Sequence, residues 1–254
     1  MDPDGLNADA KAAAPKLTIV TVVKDDLPGL EATLASTHAL SHSSYEHWVI
    51  DGSSRSDVRS YLSVIGDVNW ISEPDSGIFD AMNKGLERAQ GDFVLFLNAG
   101  DVISSALDAT TLFAKLSTES RVLVGHTIEV YKDLRWLRPA ANRASDVFSC
   151  PAHQATFYPR SFYDNNRYLM HLGISADGAY TRSAIRQCGA VYLPLIVCEF
   201  ILGGVSSNYQ SSGVLKQRMR EVATLREQAS LLLKFWLWHI LPKGTFYSLL
   251  GAFK

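Results

Sequence analysis

Residues 71–101, ISEPDSGIFDAMNKGLERAQGDFVLFLNAGD, constrain this chain more than any other stretch. Residues 93–97 (FVLFL) are apolar at every position, bounded by Gly91-Asp92 and by Asn98-Ala99-Gly100-Asp101. A run that short and that continuous predicts a strand covered on both faces, as in a parallel sheet between helices. Its carboxyl end delivers Asn98 and Asp101 into a loop, the place where open α/β sheets bind ligands. The segment before it predicts a helix. Ile78, Ala81, Met82, Gly85 and Ala89 recur at helical spacing as a buried face. Asp80, Asn83, Lys84 and Glu87 form a polar stripe at i, i+3, i+4 and i+7. For an arbitrary helix such a stripe is a solvated surface. Here the turn Glu73-Pro74-Asp75-Ser76-Gly77 puts it beside a helix start, whose free N–H groups and dipole favour anions.

Upstream, the alternation continues. Residues 17–23 (LTIVTVV) are a β-branched apolar run and predict a strand. A helix follows over 27–40, a second strand over 46–50 ending at Asp51-Gly52-Ser53-Ser54, a short helix over 57–65 and a third strand over 68–72. Strands alternating with helices predict βαβ units with right-handed crossovers. Thr21, Asp51, Asp75 and the Asn98–Asp101 loop then lie together at or just past strand ends. Individually, Asp51-Gly52 is a turn and Thr21 a β-former.

Beyond residue 121 the pattern is mixed. Strands are expected at 121–125 and 127–131, the latter turning at Lys132-Asp133 into 134–137. An irregular segment follows over 142–150, a strand at 153–158 and a short helix after Pro159. Spacing over 179–185 predicts a helix with Asp177 in its first turn, where an acid ordinarily complements the dipole. His126 and His153 read as structural hydrogen-bonders. His153-Gln154 falls in the half expected to face an acceptor.

The phrase SEPDSGIFDAMNKGLERAQGDFVLFLNAGD resembles the inverting family 2 glycosyltransferases of GT-A fold, nearest to the bacterial branch that builds capsule, exopolysaccharide or O-antigen. The resemblance covers roughly residues 16–205. It implies an α/β GT-A domain over 16–210, with a nucleotide-binding half (16–105) and an acceptor half (106–210). It implies a nucleotide-sugar donor, with UDP as its nucleotide, and a glycan or lipid-linked acceptor. Thr21 and Asp51 would hold the nucleoside, with Asp75, Asp80, Asn83, Lys84 and Asn98 around the rest of the donor. Asp101 would ligate Mg²⁺ or Mn²⁺, Asp177 would be the catalytic base, and His153 and Gln154 would meet the acceptor. Family loops hold further acids beside the positions of Asp101 and Asp177, where this chain has Gly100 and Ala176. Two other readings stay open: a nucleotidyltransferase acting on sugar phosphates, and a non-catalytic scaffold. Against the former, Lys24-Asp25-Asp26-Leu27 is not a Gly-rich basic loop.

Composition narrows the setting. The chain has 254 residues, 47% hydrophobic and 20% charged, with net charge −2. No excess of positive charge argues for nucleic acid. Cys150, Cys188 and Cys198 form no C-x-x-C pair, which fits reduced thiols in a cytoplasmic protein. Residues 1–15 lack a signal-peptide core and predict a disordered leader. Residues 211–254 predict a helical tail: a basic helix over 214–227, then ASLLLKFWLWHIL and a second apolar run. Its length is too short to span a bilayer. Trp236, Trp238 and Phe235 beside basic residues predict peripheral contact at the inner face of the cell membrane.

Overall fold

The computed structural model describes residues 15–38, 40, 44–140, 150–202, 215, 216, 219 and 225–252. The expectations for the leader, for residues 142–149 and for most of 214–224 fall outside these residues. The elements run β1 (Leu17–Val23), α1 (Leu27–His38), β2 (Tyr45–Asp51), α2 (Asp57–Leu62), β3 (Asn69–Ser72), α3 (Ile78–Arg88) and β4 (Phe93–Phe96). The second half holds β5 (Val102–Ile103), α4 (Ala109–Thr118), β6 (Val122–Tyr131), β7 (Leu134–Arg138), β8 (Thr156–Pro159), α5 (Arg160–Tyr163), α6 (Ala176–Cys188) and β9 (Ala190–Ile201). The tail forms α7 (Leu225–Ile240) and α8 (Lys243–Ala252).

One sheet carries the fold, in the order β3-β2-β1-β4-β8-β6-β9-β5, with β7 paired to β6. The first four strands are parallel. From β1 the chain steps outward to β2 and β3, then α3 returns it to β4 on the other side of β1. That reversal opens a crevice at the carboxyl ends of β1 and β4, the switch point where such sheets place ligands. Beyond β4 the pairing turns antiparallel through β8 and β6, then parallel again between β6 and β9.

Period-2 alternation sorts the core into two faces. Val20, Val22, Val94 and Phe96 pack with Met82 of α3 and with Tyr180 and Ala184 of α6. Leu17, Ile19, Phe93 and Leu95 face Leu112 and Leu116 of α4, while Val23 and Val49 meet Leu30 and Leu34 of α1. Gly85 lets α3 lie flush on β1, since a Cβ there would stand 2.3 Å from Val20 Cγ1.

Several boundaries differ from the sequence pattern. The strands expected at 121–125 and 127–131 are one strand, β6, with register shifts on either side of His126, the first of which passes over Pro194 of β9. Proline has no N–H to give the ladder, so a bulge is where a strand tolerates it. The strand expected at 153–158 begins as a 3-10 turn over His153–Ala155, and only Thr156 onward pairs. α4, β5 and β9 are elements beyond those expected from the sequence pattern. α4 is held by Asp108, whose carboxylate accepts from Thr111 N at 3.0 Å. Ile78, expected to be buried, is 47% exposed at the first turn of α3. His126 is structural, accepting from Ala140 N at 2.8 Å.

The tail packs on the domain. Trp238, Phe246 and Tyr247 are buried with Leu202, against Tyr131, Trp136 and Phe200. Trp238 is therefore core, whereas Trp236 stays 60% exposed.

Gly91, before β4, has no room for a side chain. A Cβ would lie 2.4 Å from Thr18 N and 2.7 Å from Phe93 O, both backbone atoms. Gly91→Ala should therefore destabilise the domain by about 1–3 kcal/mol, the usual cost of overpacking. A lowered urea midpoint with unchanged m-value is the expected reading.

Candidate active site

A cavity of about 460 Å³ opens at the carboxyl end of β4. Asn98, Ala99 and Asp101 reach it from the loop after β4, Asp80 from α3, His153 and Gln154 from the 3-10 turn, and Asp177 from α6. Six residues expected at the site from sequence therefore line one space, although Asp80 and Asp177 lie almost a hundred positions apart.

The loop after β4 is pinned by Thr33 of α1. Its hydroxyl donates to Asp101 O at 2.7 Å and accepts from Gly100 N at 3.0 Å. Gly100, at φ 93°, makes the turn. Thr33 is fully buried, and nothing in the local sequence distinguishes it from a helix-packing threonine. Asp101 is buried and accepts from Gln154 Nε2 at 3.2 Å. Burial raises its pKa to about 6, with His153 and Gln154 pulling the other way.

His153 lies between the two acids. Its Nδ1 is 3.1 Å from Asp177 Oδ2, and its Nε2 is 3.4 Å from Asn98 Nδ2. Burial favours the neutral imidazole, but the charges of Asp177 and Asp101 outweigh it and raise the pKa of His153. Burial also works against ionised Asp177, and His153 outweighs it, so the Asp177 pKa is lowered. Both directions describe an imidazolium–carboxylate pair. Asn98 Oδ1 and Asp177 Oδ1 are buried without a protein partner. A charged His153 has two N–H donors, so turning the Asn98 amide offers its oxygen to Nε2. Asp177 Oδ1 is then the carboxylate oxygen left without a protein partner.

The remaining sequence candidates lie elsewhere. Thr21 does not reach the crevice: alternation turns it toward α1, where its hydroxyl meets His47 Nε2 at 2.8 Å, fully buried. Asn83 is occupied, donating to Tyr168 O and accepting from Tyr168 N. Lys84 binds Pro74 O at 2.7 Å and Glu73 at 3.0 Å, so it braces the turn before α3. The N–H groups of the turn before α3 are likewise taken: Gly77 N donates to Asp75 and Ser76 N to Asp80. Asp75 thus caps the turn and rests on Gly52, where a Cβ would meet its Oδ2 at 1.6 Å. Asp51 ends β2 buried, with Oδ1 on Ser53 N and Oδ2 unpartnered. It lies outside the lining of the cavity.

Among the described residues no group of three His, Cys, Asp or Glu could form a preformed metal cage. Asp101 still fits Mg²⁺ or Mn²⁺ shared with a ligand, because Mg²⁺ commonly takes one or two carboxylates plus substrate phosphates and water.

A parallel half-sheet with a switch-point crevice, joined to a mixed half that closes over it, defines the nucleotide-sugar transferase fold known as GT-A. Residues 18–189 match the family Glycosyl transferase family 2, and the chain belongs to that family. An uncharacterised glycosyltransferase of Mycobacterium tuberculosis is 33% identical over 212 residues, 80% of this chain and 81% of its own. A PGL/p-HBAD biosynthesis glycosyltransferase of Mycobacterium bovis is 25% identical over 217 residues, 81% and 84% of the two chains. Among solved structures, S. aureus TarS 1–349 in complex with UDP-GlcNAc superposes with TM-score 0.63 at 14% identity, covering 88% of this chain and 72% of that one. Its complex with UDP gives 0.61 at 15% identity, covering 92% and 75%.

The His153–Asp177 pair predicts a pH signature. A raised His153 pKa contributes stability that is fully present below the unfolded value, about 6.5, and lost as pH rises through the higher folded value. A lowered Asp177 pKa contributes stability present above about 3.8 and lost as pH falls through the lower folded value. The pair therefore supports the fold most between those limits. In Asp177→Asn the imidazole should titrate lower than in the wild type, as followed by ¹H–¹⁵N NMR of the ring; an unmoved titration would contradict the pairing.

Proposed function

We propose that this protein transfers a sugar, with inversion, from a nucleotide-sugar donor to the hydroxyl of a glycan or lipid-linked acceptor in cell-surface polysaccharide assembly. UDP is the nucleotide we favour; the TarS structures that share the fold hold UDP or UDP-GlcNAc. The observation that carries the reading is one cavity with Asp101 on one wall, Asp177 on another and His153 between them.

Inversion requires the acceptor oxygen to attack the anomeric carbon on the face opposite the leaving diphosphate. Its proton must leave as the bond forms. Asp177 Oδ1 is the unpartnered buried acceptor that takes it, while Oδ2 stays on His153 and holds the carboxylate in place. The imidazolium makes Asp177 a weaker base at rest. It also keeps the carboxylate ionised in a buried site. Asp51 Oδ2 at the end of β2 is the donor-side contact, consistent with nucleoside binding there. Asp101 beside a diphosphate would set like charges together. Asp101 would hold a divalent cation there, which would supply the charge compensation that departure of the nucleotide needs. A nucleotidyltransferase would need a basic phosphate-gripping loop after β1, whereas here Lys24 pairs at 3.5 Å with Asp75 and Asp25 ties down Ser54.

Asp177→Asn should lose about 10²–10⁴-fold in turnover, the usual loss on removing a general base, while keeping UDP affinity. Turnover within a few-fold of wild type would leave Asp177 a helix-start acid. Asp101→Ala should abolish the Mn²⁺ dependence of UDP binding in calorimetry; equal affinity with and without Mn²⁺ in both proteins would remove Asp101 as a metal ligand.

No described helix is long and apolar enough to cross a membrane. The tail nonetheless leaves Leu233, Trp236 and Ile240 exposed along α7, at i, i+3 and i+7, while Trp238 anchors the helix to the domain. We propose that this face lies on the inner surface of the cell membrane. Deleting the tail would bare Leu202 and Phe200, so point changes are the cleaner test. Trp236→Asp with Leu233→Asp should abolish flotation with anionic liposomes at unchanged melting temperature; undiminished flotation would exclude this face.

A further inference from the structure

The cavity has a polar floor and an apolar mouth. Asp101 and Gln154 are nearly fully buried at its base, with His153 and Asp177 beside them. The outer residues are different in kind. Ile78, Met170 and Ile201 all line the cavity, yet are 47%, 51% and 66% exposed. Leu169, next to Met170, is 53% exposed. These side chains come from three separate places: the start of α3, the segment before α6 and the end of β9. A single exposed leucine needs no explanation, but apolar side chains converging on one site mouth do. Phe200 continues the surface inward: it lines the cavity and packs against the Leu202–Trp238 cluster under the tail.

A free oligosaccharide would gain little from such a rim. Its hydroxyls would lose water against Ile78, Met170 and Ile201 without hydrogen bonds in return. The nucleotide is an equally poor occupant of the rim, because its charged diphosphate belongs with the polar floor.

We infer that the acceptor is an amphiphile, in which the hydroxyl-bearing head descends to Asp177 and an apolar group attached close to that head leaves across Ile78, Met170 and Ile201. This inference rests on the glycosyltransfer reading and commits it to one acceptor class. Burial of the attached group then supplies the binding energy that orients the hydroxyl.

The test is calorimetric titration of the full chain, saturated with UDP and Mn²⁺, with matched methyl and octyl β-glycosides of glucose and galactose below the micelle concentration. Octyl glycosides should bind at least about tenfold more tightly than their methyl counterparts, which burial of roughly two methylenes supplies. The Met170→Asp/Ile201→Asp variant should lose that preference while its melting temperature is unchanged, since both positions are exposed. The Leu233→Asp/Trp236→Asp variant should retain it. Equal binding of the two chain lengths, no binding of the octyl glycosides, persistence of the preference in the rim variant or its loss in the tail variant would each overturn the inference. Failure of the wild-type chain to bind UDP would be a different result, removing the glycosyltransfer reading beneath it.

Discussion

Strand β4 is the constraint on which the rest depends. It is the seam between a parallel half-sheet and an antiparallel one, hydrogen-bonded to β1 on one side and β8 on the other. Phe93 and Leu95 pack into one layer and Val94 and Phe96 into the other, so neither face can rotate toward water. A strand fixed on both edges and both faces leaves its carboxyl end little freedom. Thr33 then ties the following loop to α1, and Asp101 takes its position from that chain of contacts.

The same seam brings the two halves of the site together. β8 pairs with β4, so the 3-10 turn before β8 sets His153 and Gln154 against the Asn98–Asp101 loop. An aromatic wedge holds α6 in register with α3: Phe79 stacks on Tyr168 at 5.3 Å, and Tyr168 on Tyr180 at 4.1 Å. Asn83 adds two hydrogen bonds to the Tyr168 backbone. Its apparent place in a ligand-facing stripe is thus a structural one, which fixes the segment before α6 on α3.

Charge is distributed unevenly across the cavity. His153 sits 3.1 Å from Asp177 and reaches Asp101 only through its field. Asp177 therefore stays ionised, whereas burial holds Asp101 near neutral pH. The two acids thus shift in opposite directions: burial prevails at Asp101, and the close imidazole outweighs burial at Asp177, as environment can separate paired carboxylates.

What the sequence determined by itself is the parallel half. Periodicity in 17–23, 46–50 and 93–97, helical spacing over 78–89 and the resemblance carried by DAMNKG and FLNAGD are local signals, and each corresponds to an element whose neighbours lie close in the chain. Tertiary structure decided the rest. β5 and β9 form because partner strands await them, which no window of sequence contains, whereas the Asp108 cap of α4 is a local contact to Thr111 N. Thr21 and Asp51 lie on the same sheet face by register, but Thr21 sits inside β1 with its hydroxyl on His47, whereas Asp51 is the last residue of β2. Lys84 and Asp75 turned out to brace a turn, since their partners Pro74, Glu73 and Gly77 are fixed only once α3 docks. The His153–Asp177 pair, 24 positions apart across β8 and α5, exists because the sheet folds the acceptor half back over β4; distance in space, which sets Coulombic coupling, is not written in distance along the chain.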